Sequence, residues 1–552
     1  MSTTKTISKI IAKALKNAHQ SKELPEINLH EIIVEKPRNK NHGNWSSNIA
    51  MVLSKEIKKN PLDIAKIITK NIEENSSIEN VEVLAPGFLN FKLSEKFRSD
   101  LLNEILVKKS RYGANNVGKN KKVQLEFVSV NPTGPVHVGH ARGAIVGSCI
   151  ANILDFSGYK IVKEYYVNDA GNQIDLYVES IKSKIYQYFG EKYPIPEDGY
   201  LGENIKSIAE KIISKLEINK NNLKSIKDEE IKEISIKLTL KKIKSDLSDL
   251  GILYDNWFFE SDLFKNQTIT NIETILDKKN LIFEKDGAEW FKSSNFFTEN
   301  DVVIRRSKNE GHTYFFSDMA YHYDKFIVRD FDVVINIFGA DHHSHVDRLK
   351  SAVKAFDIDI KRLKILLTQI VHFKNENKIQ KFSKRSGNIY TVSDLVNLVG
   401  KDVCRFNFLN RSLDSQQEFD LELATQESSE NPVYYVQYAY ARLCSIINSF
   451  EQKIERKDSD LSLLETEYEK NLIDSLDFFP QVIIEATEKL QTHNITQYSI
   501  ELAKELQKFY EKCRVISDDL ELSKARIILI SACKIVLKNT LDIMGVETPE
   551  RM

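Results

Sequence analysis

The sequence predicts an α/β protein in three parts. These are a Rossmann-type catalytic core on a parallel sheet, a small α+β domain before it, and an all-α bundle after it. Three observations carry the prediction. First, Val123, Leu125 and Phe127 alternate with polar residues, Asn131–Pro135 breaks the run with two prolines and a glycine, and His140–Phe156 is apolar at helical spacing before the β-rich Ile161–Val167. A strand–helix–strand unit of this kind builds parallel sheets with crossover helices. Second, Asp332–Phe338 reads as a strand in a second α/β half at about 300–390. Third, from about Asp394 to the end the apolar spacing is helical, with short turns only, as in a helix bundle.

The first domain is expected over residues 1–115. Apolar residues recur at helical spacing from Ile7 to Leu15 and from Asn48 to Ile57, and a third helix starts at Pro61, a favoured first helical position. Pro37–Trp45 is polar, contains Gly43, and reads as a loop. Val81–Val83 and Phe88–Phe91 read as two short strands around Ala85-Pro86-Gly87. The basic, glycine-containing stretch Lys108–Lys122 is taken as a linker. The catalytic core follows over 116–393, with a Lys/Glu/Ile-rich helical insertion at about 180–300 and Gly158 as the stop of the His140–Phe156 helix. The bundle occupies 394–552.

At 552 residues, 41% apolar and 28% charged, the chain has the composition of a soluble protein of two to four domains. Lys and Arg number 78 against 79 Asp and Glu. This near-neutrality leaves nucleic-acid binding open, because a local basic surface is enough for it. The five cysteines, Cys149, Cys404, Cys444, Cys513 and Cys533, are odd in number and never at CxxC spacing. That argues against a zinc site or a disulfide framework and for a reducing compartment. The N-terminus lacks the apolar core of a signal peptide, and no run approaches the roughly 20 apolar residues of a membrane span. A cytoplasmic location without membrane contact is expected.

Asn131-Pro-Thr-Gly-Pro-Val-His137-Val-Gly139-His140 lies between a strand and a helix. Such a loop delivers two imidazoles to a helix N-terminus, where backbone N–H groups and the helix dipole favour an anion. Gly139 lets a nucleotide approach the backbone closely. His137 and His140 can donate hydrogen bonds to phosphate oxygens as charge grows in a transition state. Two histidines near a helix start are by themselves a weak pattern, and the strand–loop–helix setting gives them meaning. The second cluster, Lys381-Phe-Ser383-Lys384-Arg385-Ser-Gly-Asn388, places three cations within five residues before Gly-Asn. It suits a loop that clamps a triphosphate, since lysine is a compact point charge that can follow pyrophosphate. Alone it would read as a solvated basic loop.

Together the two clusters resemble the signature motifs of the class I aminoacyl-tRNA synthetases. His137–His140 is similar to HIGH, with Val138 for Ile. Lys381–Arg385 is similar to KMSKS, with Phe382 for Met and Arg385 for Ser. The resemblance narrows to the arginyl enzymes and covers nearly the whole chain. It is carried by Glu126–Asn131, Tyr165-Tyr-Val-Asn-Asp-Ala-Gly-Asn-Gln173, Gly339-Ala-Asp-His-His343, Asn431-Pro-Val-Tyr-Tyr-Val-Gln-Tyr438 and the ending Met544–Met552. His42-Gly43-Asn44 and Ala85–Asn90 are similar to the family's N-terminal domain, which touches the tRNA elbow. The resemblance implies an arginine–tRNA ligase that forms arginyl-adenylate from arginine and ATP with Mg²⁺, then esterifies the terminal ribose of tRNA(Arg). It implies a catalytic set of His137, His140, Lys381, Ser383 and Lys384. Gly134, Gly139, Gly339 and Asp341 join the histidines and lysines around ATP, and no protein-bound metal is expected. A monomer is the usual state of the family.

A guanidinium is planar, always charged and best matched by carboxylates in fork geometry. Glu126, Asp318 and Asp341 are the candidates. The resemblance places Glu126, Asn131, Tyr314, Asp318 and His343 in the amino-acid site, and a helix through Gly311–Asp318 would set Tyr314 and Asp318 on one face. In the bundle, Tyr434, Tyr438 and Arg442 form an i, i+4, i+8 stripe. Aromatic stripes usually face a core, but an arginine at the end of one suits base stacking. The resemblance implies anticodon contacts at Tyr438, Arg442, Tyr510 and Met552. Two other functions fit less well. A cysteine enzyme of the same class should carry zinc-ligand Cys and His, and an inactive RNA-binding paralogue should have lost motif residues, whereas both histidines and both lysines are present.

Overall fold

The computed structural model describes residues 3–26, 32–37, 39, 42–307, 311–375, 378–380, 391–452 and 459–552. The central sheet has five parallel strands: β1 (Lys122–Phe127), β2 (Lys160–Val167), β3 (Asn256–Phe259), β4 (Val333–Gly339) and β5 (Leu363–Thr368), in the order β5-β4-β1-β2-β3. Leu125 of β1 lies opposite Lys163 of β2 and Ile335 of β4. The alternation in β1 predicts one wet face, yet Val123–Phe127 is buried throughout. The polar positions are paired inside instead: Gln124 donates to Glu164 at 2.9 Å, and Glu126 accepts from Lys325 at 2.6 Å. A central parallel strand is covered on both faces, so its polar residues need internal partners. The sheet grows from β1 in both directions, which puts the switch point, and so the expected ligand crevice, at the carboxyl ends of β1 and β4.

The helix Ala141–Phe156 packs on this sheet. Gly147 permits the approach, since a Cβ there would lie 2.5 Å from Cγ of Phe127. The insertion begins with helices Asn172–Tyr188, Glu203–Lys215 and Asp228–Asp249, as its composition predicts. Its second part departs from that reading. Asn256–Phe259 becomes the edge strand β3, and Ile282–Lys285, Ala288–Phe291 and Val302–Arg305 form an antiparallel sheet. Four-residue strands are too short to display a period against a Lys/Glu-rich background.

The bundle also begins later than 394. Gln417–Asp420 pairs in parallel with Val371–Asn375, so the segment through 424 packs with the catalytic core. The long helices are Pro432–Ser449, Glu467–Lys489, His493–Lys512 and Leu520–Met544. At the other end, the N-terminal domain has its own core around Ile7, Ile11, Trp45, Leu53, Ile64 and Phe91. That core stops short of 115. The helix Glu95–Lys108 buries Leu101, Leu102 and Ile105 in the large core, against Leu520–Met544. The N-terminal domain docks on Glu467–Lys489, where Asp477 accepts from Trp45 Nε1 at 3.0 Å and from the Thr3 hydroxyl. Burial raises the Asp477 carboxyl to about 6. Asp474 pairs with Arg98 at 3.3 Å and accepts from Asn44.

This packing separates two truncations. A chain starting at Ser94 keeps Leu101, Leu102 and Ile105 and is expected to unfold cooperatively. One starting at Arg111 loses three buried aliphatic side chains, each worth about 2–5 kcal/mol on truncation to alanine, and is expected to lose its sharp transition. Thermal unfolding followed by circular dichroism checks this, and equal transitions would place the boundary back near 115.

Candidate active site

The first loop starts from a strained turn. Directly after β1, Val128 and Ser129 have φ of 72° and 42°. Left-handed backbone costs a non-glycine residue about 1–3 kcal/mol, and a β-branched valine resists it most. Three tyrosines hold the turn: Tyr254 Oη donates to the Phe127 carbonyl at 2.9 Å, Tyr165 Oη to the Val130 carbonyl at 2.8 Å, and the Tyr166 N–H to Ser129 Oγ at 3.1 Å. The Asn131 amide donates to Gln173. The chain thereby leaves the sheet at the switch point and delivers His137–His140 to the start of helix Ala141–Phe156. His137 Nδ1 accepts from the Gly139 N–H at 3.0 Å, so the proton of a neutral ring sits on Nε2. A Cβ at Gly139 would crowd that nitrogen at 3.1 Å. Gly139 and His140 are exposed at the helix entrance. Gly134 lies against the Asn204 amide.

Lys381, Ser383 and Lys384 lie outside the described residues. The exit of their loop is placed: Thr391 forms a β-bridge with His137, and the Val392 N–H donates to the Val136 carbonyl at 2.9 Å. Thr391 also caps the helix Val392–Val399 reciprocally with Asp394. Thr391 and Val392, which follow the second basic cluster in the chain, therefore lie against the first motif, although some 250 residues of chain lie between. Beneath the first motif, Arg142 is fully buried and donates to the carbonyls of Ser412 (2.6 Å), Ser415 (2.7 Å) and Gln369 (3.3 Å). Burial lowers its pKa to about 10.

Near the carboxyl ends of β2 and β3 lies a cluster of acidic side chains. The helix Tyr314–Tyr323 carries Tyr314, half-exposed with its hydroxyl over Gly171, and Asp318, whose carboxylate meets His345 Nε2 at 2.8 Å. Glu260, at the carboxyl end of β3, clusters with Asp318, Asp169, Ser317 and Tyr166, and burial raises its carboxyl to about 7. The deeper carboxylates already have cations. Glu126 pairs with the fully buried Lys325, which also donates to Asn336 at 3.1 Å. Asn336 in turn meets His322 Nε2 at 2.7 Å. Burial drives the His322 pKa well down, and its Nδ1–H donates to the Asp318 carbonyl at 2.8 Å. Glu164 is held bidentately by Arg329 at 2.5 and 3.0 Å. Burial alone would raise its carboxyl, but this pairing outweighs it and brings the pKa to about 2. Among the described residues no Lys or Arg bonds Asp318 or Glu260, and the imidazole of His345 is the basic group that meets Asp318.

The structure brings Glu126, Asn131, Tyr314 and Asp318 to the carboxyl ends of the strands. His343 is exposed and has no contact with Asp318; the histidine that meets it is His345, one turn-half further on. The start of the helix His345–Ala355 decides which ring turns inward. Asp341 is 83% exposed, leaning back over Gly339. Sequence reasoning missed Glu260, Lys325 and His345. The one signal for Glu260 was an acid directly after the β-rich Trp257-Phe-Phe259. Among the described residues no group of three or more Asp, Glu, His or Cys side chains is arranged to hold a metal ion.

In the bundle, Tyr434 and Tyr438 stack at 6.5 Å, Tyr438 is half-exposed, and the Arg442 guanidinium lies 4.8 Å above the ring of Tyr510. The C-terminal tail runs alongside, with the Gln437 amide donating to the Glu547 carbonyl at 3.0 Å and Met552 half-exposed. No helix of the described residues is long and apolar enough to cross a membrane.

Three family profiles match the chain: the arginyl tRNA synthetase N terminal domain over 5–93, the catalytic domain of tRNA synthetases class I (R) over 101–412, and the DALR anticodon binding domain over 436–552. The chain belongs to the arginyl-tRNA synthetase family. Within the family, it is 44% identical to the arginine–tRNA ligase of Caldanaerobacter subterraneus subsp. tengcongensis over 99% of this chain and 98% of the relative. It is 40% identical to that of Acetivibrio thermocellus, with the same coverages. The arginyl-tRNA synthetase of Thermus thermophilus has the same fold, with a TM-score of 0.78 at 20% identity over all of both chains.

Proposed function

We propose that the chain is an arginine–tRNA ligase, activating arginine with ATP and esterifying it onto tRNA(Arg) with release of AMP and pyrophosphate. The observation that carries this reading is the juxtaposition at the switch point. The loop entrance with His137 and His140 meets, through Thr391, the chain that follows Lys381–Lys384, and the carboxyl ends of the same sheet carry Asp318 and Glu260, carboxylates that no Lys or Arg bonds among the described residues. ATP is taken with its α-phosphate at the helix entrance, near Gly139, Gly339 and Asp341, and arrives as its Mg²⁺ complex. The metal supplies charge neutralisation on the triphosphate, while His137, His140, Lys381 and Lys384 donate to phosphate oxygens as the arginine carboxylate attacks. Asp318 and Glu260 receive the guanidinium, and Tyr314 flanks it. Incubation with each of the twenty amino acids, total tRNA and ATP tests the reading: arginine alone should become acid-precipitable. Charging of another amino acid, or binding of tRNA without any charging, would replace it.

We assign the tRNA to both end domains, the first at the elbow and the last at the anticodon through Tyr438, Arg442, Tyr510 and Met552. Arg442 is exposed and its guanidinium lies over the Tyr510 ring, a platform onto which an unpaired base can be added. Loss of one stacked contact costs roughly 1–3 kcal/mol. Arg442→Ala is therefore expected to raise the Kd for tRNA roughly 5- to 100-fold while KM for arginine is unchanged, and wild-type affinity should fall steeply with added salt. Filter binding over a salt series measures both. Unaltered tRNA affinity in the variant would move the anticodon site elsewhere.

A further inference from the structure

The two phosphate-handling loops come from distant parts of the chain, and something must hold them in register. Asp246, on the insertion helix Asp228–Asp249, is fully buried. Its Oδ2 accepts from the Val136 N–H at 3.2 Å, one residue before His137. Its Oδ1 accepts from Ser393 Oγ at 2.8 Å, two residues after Thr391. The same oxygen meets Lys242 Nζ at 2.7 Å, and that ammonium lies 3.4 Å from Ser393 Oγ. One carboxylate thus grips the segment entering the first motif and the helix that receives the second. The backbone bridge between Thr391 and His137 and the Val392–Val136 hydrogen bond lie between those two grips.

We propose that Asp246 is a positioning residue for adenylate formation, a buried clamp that fixes Thr391 and Ser393, which follow Lys381–Lys384 in the chain, relative to His137 and His140. Neither Asp246 nor Ser393 touches a reacting atom; they act through the two loops. The chemistry suits the task. An ionised carboxylate offers about four acceptor sites on two oxygens, where an amide of the same size offers two on one, and Lys242 supplies the counter-charge from the surface side. An asparagine at 246 keeps the shape but loses the charge, and its N–H₂ must face either the Val136 N–H or the Lys242 ammonium, so one donor of the clamp is always opposed. A misplacement of about 1 Å in such a constellation costs on the order of 100-fold in rate.

The inference rests on the reading of the two loops given under Proposed function, and the experiment separates them. Arginine-dependent ATP–pyrophosphate exchange is measured in the presence of tRNA for wild type, Asp246→Asn, Ser393→Ala, Ser393→Thr, Asp246→Asn/Ser393→Ala and His140→Ala, below the melting temperature of each and normalised by active-site titration. Asp246→Asn is expected to lower kcat roughly 10- to 100-fold with KM for arginine unchanged. Ser393→Ala should lower kcat in the same way, and Ser393→Thr, which keeps the hydroxyl, should restore it. The double variant should be little slower than Asp246→Asn alone, because both remove one clamp. A structural role alone would lower the melting temperature while leaving kcat per active site at the wild-type value, and that outcome overturns the proposal. If His140→Ala is impaired and the Asp246 and Ser393 variants are not, the clamp is wrong and the loop reading stands. If His140→Ala also keeps wild-type exchange, the loop reading fails and the clamp with it.

Discussion

Replacing His140 by alanine is expected to slow arginyl-adenylate formation about 100- to 1000-fold, the usual cost of deleting one donor aimed at developing charge. The ring is exposed at the entrance of helix Ala141–Phe156, so its loss leaves the buried core intact. It begins a helix whose N-terminal dipole already favours an anion. A donor there contributes most when negative charge builds on the α-phosphate and pyrophosphate, and little to the ground-state complex. kcat should therefore fall far more than KM for ATP rises. Lys384→Ala should behave alike, as a point charge that follows the leaving pyrophosphate. Arginine-dependent pyrophosphate exchange at saturating and limiting ATP separates the two parameters. Near-normal exchange in both variants would remove these residues from the catalytic set.

The parts of this molecule that were legible in the sequence are those where one local rule dominates. The strand–loop–helix at 122–156 could be read because apolar period, two prolines and Gly158 agree on one answer. Tyr314 and Asp318 could be set on one helix because they lie four residues apart, and they do share the helix Tyr314–Tyr323. What could not be read depends on distant partners. The alternation of β1 suggests a wet face until Lys325 and Glu164, 199 and 40 positions away from their partners, arrive to neutralise it. The left-handed backbone at Val128 and Ser129 breaks local propensity outright, and only the three tyrosines that hold it explain it. Short strands such as Asn256–Phe259 and Gln417–Asp420 carry too few residues to show a period, so the sequence predicts a wholly helical insertion and a bundle from 394, ahead of where it starts. His343 and His345 are indistinguishable by composition, and the turn that begins the helix at His345 decides between them.

Arginine selection should depend on Asp318 and Glu260 together, and more steeply than on any other side chain in the pocket. Lysine and ornithine are the natural competitors, cationic and similar in reach. Two carboxylates can satisfy several guanidinium N–H donors at once, whereas an ammonium leaves acceptors unpaired at roughly 1–3 kcal/mol each. Asp318→Asn keeps the shape, removes the charge and turns an N–H₂ toward the ligand. Truncating one partner of a buried charged pair costs about 2–5 kcal/mol, so KM for arginine should rise roughly 30-fold or more with KM for ATP nearly unchanged. Glu126→Gln should act differently, since Glu126 is already neutralised by Lys325 and is the candidate for the substrate α-amino group. Butylguanidine, which has the guanidinium but neither the α-amino group nor the α-carboxylate, tells the roles apart. It should inhibit the Glu126→Gln enzyme as it does wild type and fail against Asp318→Asn. If it inhibits both equally, Glu260 becomes the principal guanidinium partner, because Asp341 is exposed and leans over Gly339. Glu260 adds a pH signature. Its carboxyl is raised to about 7 by burial, and a guanidinium binds the ionised form better than the neutral one. Arginine binding should then release a proton near pH 7, and KM for arginine should fall as pH rises from 6 to 8. Glu260→Gln cannot ionise, so its KM should be high and flat across that window. A wild-type KM that is already flat between pH 6 and 8 would mean that Glu260 does not meet the substrate.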